Sequence, residues 1–183
     1  MTTSIWSGFW GPFFTLIGAL VVALLANFLA EDFRRFRDGT ALASALLGEL
    51  LSYKDAFKQS REGFNHYLEE AKKGNVMVLP NVDVLPDRVY ESHVSKIGLL
   101  GSDLPQKVVM TYGRITIYKV ALNVLTSAKY GTDDETLISG YSEMLYLIDK
   151  IEEVDSDAIS ALTERAHLKF LSHLNQVRKT IFH

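Results

Sequence analysis

The rhythm of hydrophobic and polar positions changes once along the chain, close to Glu31. No side chain before that residue carries a charge, and the twenty-two residues from Phe9 to Ala30 are mostly apolar. At about 1.5 Å per residue such a run makes a helix of roughly 33 Å, enough to cross a hydrocarbon layer of about 30 Å. The run is apolar on every face, as lipid or complete burial demands, whereas a surface helix shows one apolar stripe. Beyond it the apolar positions fall into three- and four-residue steps. Leu42, Leu46, Leu50, Tyr53, Phe57, Phe64, Leu68 and Ala71 predict a helix from Thr40 to Lys73, closed by Gly74. Only Gly39 and Thr40 separate it from the apolar run, and the sequence is satisfied either by one continuous rod or by a bend there.

"NVMVLPNVDVLP" then alternates apolar and polar residues with a Pro at each "VLP", the pattern of an extended segment. A short helix is expected from Pro86 to Ile97, ended by Gly98 and Gly101. After "SDLP" the positions Val108, Val109, Tyr112, Ile115, Thr116, Lys119, Leu122 and Leu125 mark a helix to about Tyr130, ended by Gly131. Its additional Ile117, Tyr118 and Val120 make it the element expected to be most buried. "TDDE" at Thr132–Glu135 is a capping-box pattern opening a helix through Leu137, Tyr141, Met144, Leu145, Ile148 and Ile151. Asp155 and Ser156 are expected to turn the chain into a final helix through Ile159, Leu162, Ala166, Phe170, Leu174, Val177 and Ile181. Pro80, Pro86 and Pro105 all fall between or at the starts of these stretches.

The predicted fold is all-α: a single N-terminal transmembrane helix followed by an antiparallel bundle of four long helices and one short helix. Residues 1–38 form the anchor and its basic boundary, and residues 39–183 form one helical-bundle domain of single-domain length.

Charge gives the anchor a direction. "MTTSIWSG" has no basic residue, whereas Arg34, Arg35 and Arg37 follow the apolar run. The positive-inside bias therefore places the N-terminus outside and the domain in the cytoplasm of a bacterial inner membrane. A cleaved secretory signal would show basic residues before a shorter apolar core and a small-residue cleavage site, so an uncleaved anchor is expected. Trp6 and Trp10 would stand in the outer aromatic belt, and Phe33 and Phe36 in the inner one. The three arginines are the expected lipid contacts. The net charge of −3 and the lack of a long basic run argue against nucleic acid as a partner. With no Cys, disulfides and thiolate metal sites are excluded.

Chemistry is sparse. Glu164 and His167 stand three apart, the spacing of half a carboxylate-bridged di-iron site, but His66, His93, His173 and His183 have no Glu three residues before them. Glu49, set in "ALLGELL", could be an inward carboxylate, but a Glu flanking an apolar stripe is usually solvated, and that is the expectation. Tyr90 and His93 could flank a cleft, with a hydrogen-bonded core histidine the simpler reading. Nucleophile-elbow, zinc-protease and phosphate-loop motifs do not occur. The expectation is therefore no catalytic residue, no cofactor and no metal.

The anchor offers a surface instead. Gly11, Thr15, Ala19, Ala23 and Asn27 recur every four residues, a small-residue stripe along which another helix can approach, with the Asn27 amide able to bond across. Self-association through it is expected. Lys169, Arg178 and Lys179 near the C-terminus either meet anionic lipid or complement the helix dipole.

The order of anchor, basic boundary, "ALASALLGELLSYKDAF" and "LPDRVYESHVSKIGLLGSDLPQKVVMTYGRI" resembles small bacterial membrane-anchored helical-bundle proteins of uncharacterised function, over about residues 10–120. The resemblance implies the topology and brings no catalytic or binding residue. The functional expectation is a membrane-anchored interaction, scaffold or sensor protein, with the lipid bilayer and a homo-oligomer or another membrane protein as partners. The alternative is a membrane-disrupting effector of toxin or defence type whose anchors oligomerise, and behind it a metal-dependent enzyme on a helical bundle.

Overall fold

Helices account for all the regular secondary structure found among the described residues of this computed structural model, which are 4–75, 79, 86–127, 134–170 and 172, with side chains from residue 13 onward. Helix α1 is Ser4–Lys72, α2 is Arg88–His93, a 3₁₀ helix follows at Val94–Leu100, α3 is Leu104–Ser127 and α4 is Asp134–His167. The chain divides into two compact units, residues 1–38 with 169–183, and residues 39–168. Gly39, the first residue of the second unit, lies inside the span assigned to α1.

In the first unit, every side chain from Phe13 to Ala30 is exposed. This is one helix long and apolar enough to cross a membrane. The rings of Phe33 and Phe36 pack edge-on against Phe170, at 5.0 and 5.3 Å. The expected capping residues Thr132 and Asp133, the stop at Gly131, most of the "VLP" segment, and Leu174, Val177, Arg178, Lys179 and Ile181 lie outside the described residues.

In the second unit, the part of α1 after Gly39 packs with α3 and α4 around Leu46, Leu50, Val108, Tyr112, Ile115, Tyr141, Met144, Ile148 and Leu162, each exposed by 1% or less. Burying a side chain of this size contributes about 1.5–3 kcal/mol. Residue numbers rise together along α1 and α3, where Glu49 meets Tyr112 and Phe57 meets Tyr118. They run oppositely along α1 and α4, where Thr40 meets Arg165 and Arg61 meets Asp149. α3 therefore lies parallel to α1.

Three expectations are corrected here. Asp155 and Ser156 make no turn; α4 runs through them to His167, so among the described residues the domain has three long helical stretches where four were expected. Neither Pro nor Gly interrupts α4 after Gly140, and Ile148, Ile151, Asp155, Ala158 and Leu162 continue one buried face. Tyr118 joins the buried face of α3 as expected, but Ile117 and Val120 do not, being 57% and 60% exposed. The short helix begins at Arg88 rather than Pro86 and tightens to 3₁₀ geometry from Val94.

Two glycines have specific tasks. Gly74 takes φ +81° and ends α1, its N–H bonding the Ala71 carbonyl while the N–H of Asn75 bonds that of Glu70, the paired bonds of a Schellman cap. At Gly39 a β-carbon would stand 2.3 Å from the Leu99 carbonyl oxygen and 2.7 Å from Arg165 Nη2. The residue that left a bend open in the sequence thus sits where the 3₁₀ helix and α4 close on α1.

Candidate functional site

The densest polar cluster of the domain forms where α1, α2 and α3 meet, and it grows from side chains one or two turns apart. Glu49 and Tyr53 are four residues apart on α1; Tyr112 and Lys119 are seven apart on α3. Each pair therefore points the same way from its helix. Asp87 immediately precedes α2.

The Glu49 carboxylate accepts the backbone N–H groups of Val89 at 2.8 Å and Tyr90 at 3.1 Å, and the Tyr112 hydroxyl at 2.6 Å. Those two amides belong to the first turn of α2, which has no side-chain cap of its own, so a carboxylate from another helix performs the capping. The expectation of a solvated Glu49 is thereby overturned: the unsatisfied amides of a short helix end inside the domain and draw the carboxylate in. Beside it, Lys119 Nζ donates to Asp87 Oδ1 at 2.7 Å and to the Tyr53 hydroxyl at 2.8 Å, and the Tyr53 hydroxyl donates to the same Asp87 oxygen at 2.5 Å. The ammonium also lies 5.1 Å from the centre of the Tyr53 ring. Tyr90 stacks on Tyr112 with ring centres 4.0 Å apart.

Burial pushes the pKa of both phenols well above the ordinary tyrosine value, with the carboxylates adding to it: Asp87 chiefly for Tyr53, Glu49 chiefly for Tyr112. Both therefore stay protonated at neutral pH and serve as donors. Glu49 faces three donors and Asp87 takes the ammonium and a phenol. Chemically the arrangement holds helices in register; a general base would need an oxygen turned toward a substrate.

The other candidates are dispersed. Thr15, Ala19, Ala23 and Asn27 are exposed on α1, whereas the side chain of Gly11 and those of Trp6 and Trp10 lie outside the described ones. Arg34 stands 3.5 Å from Glu31, Arg37 stands 3.6 Å from Asp38, and Arg35 is exposed. Glu164 and His167 both face outward, the imidazole Nδ1 lying 2.8 Å from the Thr163 carbonyl oxygen. His93 Nδ1 lies 3.0 Å from the Val89 carbonyl oxygen and 2.8 Å from Ser92 Oγ. Among the described residues no three His, Asp or Glu side chains converge as metal ligands would.

Sequence reading missed Asp87 altogether and counted Tyr53, Tyr112 and Lys119 as markers of apolar stripes. The available signal was Lys119 itself, a charge set within the buried rhythm of α3, which demands a partner. Comparison of the chain with protein-family models, with curated proteins and with solved structures returns no match.

Proposed function

We propose that this protein is a membrane-anchored interaction module, with α1 crossing a bacterial inner membrane and the helical domain on its cytoplasmic side. The observation that carries this reading is the surface of α1, where every side chain from Phe13 to Ala30 is exposed and none is charged. Water would meet a large contiguous apolar area there, and a bilayer removes that cost at about 25 cal/mol per Å². Arg34, Arg35 and Arg37 supply the cytoplasmic bias and contacts to anionic lipid. The small-residue stripe Gly11, Thr15, Ala19, Ala23 and Asn27 gives the anchor a face for a second membrane helix. The Glu49–Lys119 cluster is spent on holding α2, which supports an interaction role over catalysis.

Two measurements on the full chain test this. After alkaline carbonate extraction of bacterial membranes, the protein should stay in the pellet; release into the supernatant would overturn the anchor. Because the chain has no Cys, a Thr3→Cys variant should react with an impermeant maleimide added outside intact cells, whereas Lys58→Cys should react only after lysis. The reverse pattern would invert the orientation.

A further inference from the structure

Helix α3 presents an outer face without charge. Val109, Met110, Ile117, Val120 and Val124 on it are 45–67% exposed, and none of the exposed residues of α3 is Asp, Glu, Lys or Arg. Its three charged side chains are turned to partners in the same domain. Lys107 lies 3.9 Å from Asp157, Arg114 donates to the Lys150 carbonyl and stands 4.0 Å from Glu153, and Lys119 is held by Asp87. The neighbouring helix α4 is the opposite, exposing Glu143, Asp149, Glu152, Glu153 and Asp157 among others. A solvated helix distributes charge over its outer face; α3 is built as if that face were covered.

We propose that the outer face of α3 is the seam of a homodimer, in which α3 lies antiparallel on α3 of a second copy with the two-fold axis at Ile117. Met110 and Val124 are each seven residues from Ile117, and Gly113 and Ala121 each four. A two-fold there sets Met110 against Val124 and Gly113 against Ala121, so small residues meet on either side of the axis and the backbones can approach. An uncharged face pairs with itself at no like-charge cost, which the acidic face of α4 cannot do. A lipid surface suits it less, because an interfacial helix flanks its apolar face with free Lys or Arg and with aromatic rings. Here the cations are engaged inward, and Tyr112 and Tyr118 are buried. This inference rests on the anchored reading in one respect: tethering in one membrane raises the effective concentration of copies toward each other.

The test uses full-length protein in mild detergent, with mass measured by sedimentation over a concentration series. Wild type should be dimeric, and Ile117→Glu should weaken the dimer about tenfold or more while leaving the thermal unfolding of the monomer in place. Ile117→Cys should form an intermolecular disulfide on mild oxidation, its α-carbon lying next to its own copy. Met110→Cys alone should not, but should cross-link when mixed with Val124→Cys. A dimer that survives Ile117→Glu and is lost in Ala23→Leu places association in the anchor and overturns the α3 seam, leaving the anchored reading intact. A monomer at every concentration overturns it too, and maleimide labelling of Ile117→Cys then identifies the cover. Slow labelling in detergent alone points to another segment of the same chain, and slowing only when anionic vesicles are added points to lipid.

Discussion

Glu49 and Asp155 are carboxylates on long helices of the same domain, yet Glu49 accepts two backbone amides and a phenol while one oxygen of Asp155 has no hydrogen-bond partner among the described residues. Asp155 is 5% exposed. The contrast separates a buried charge with a structural task from one that burdens the fold, because removing a carboxylate from water costs several kcal/mol unless donors replace the lost hydration. Burial pushes the Asp155 carboxyl up to about 6, with the Lys54 ammonium opposing and Glu152 adding to the rise. The folded-state value is thus above the unfolded one. The stabilisation from the neutral acid is complete below the unfolded pKa near 4 and is lost as pH rises through 6.

Substitutions can break this comparison, beginning with the largest effect. Lys119→Met leaves Asp87 without its cation in a nearly closed site and is expected to destabilise the domain by about 4 kcal/mol, read as a lower denaturant midpoint at pH 7. If Lys119→Met costs nothing, the cluster is as idle as a surface ion pair. Asp155→Asn should flatten the pH dependence, removing roughly 2 kcal/mol of stability change between pH 4 and pH 7, measured by urea titration at both values. A wild-type stability that rises over that interval would show that Asp155 has found a donor. Glu49→Gln keeps the shape but puts an amide NH₂ donor where an acceptor is needed, so a loss of about 2 kcal/mol is expected, together with faster hydrogen exchange at Val89 and Tyr90. Arg61→Ala sharpens the comparison from outside. Arg61 donates to Asp149 at 2.6 Å and Glu152 at 2.8 Å, but both carboxylates are about half exposed. Its removal should cost less than about 1 kcal/mol and matter less as salt is raised.

How far the sequence foretold these sites follows from the range of the interactions involved. The long helices were legible because their apolar period repeats locally, and the end of α1 because Gly74 is the residue a left-handed cap favours. The continuity of α4 was hidden by a local cue: Asp155–Ser156 has turn composition, and only packing from both sides keeps the helix running there. The Glu49 corner was invisible for a different reason. It joins Glu49 to Val89, Tyr90 and Tyr112, and each residue taken alone fits a helix face; their meeting depends on α3 lying parallel to α1, which no short window contains. Ile117 and Val120 were misplaced in the same way, since a helix with apolar residues on more than one side gives no indication of which side the domain covers.

The capping of α2 by Glu49 also sets an order of events in folding. Six residues are too few for a helix to persist alone in water, where nucleation is costly and isolated helices shorter than about 12 residues are marginal. The carboxylate that satisfies its first turn comes from forty residues earlier in the chain, and the Tyr112 hydroxyl sharing that carboxylate comes from α3. α2 therefore gains its stability only after the loop between α1 and α3 has closed, and the entropy of that closure must be met first by the apolar faces of the longer helices. It forms late and opens early, a clasp that records whether its two neighbours are paired.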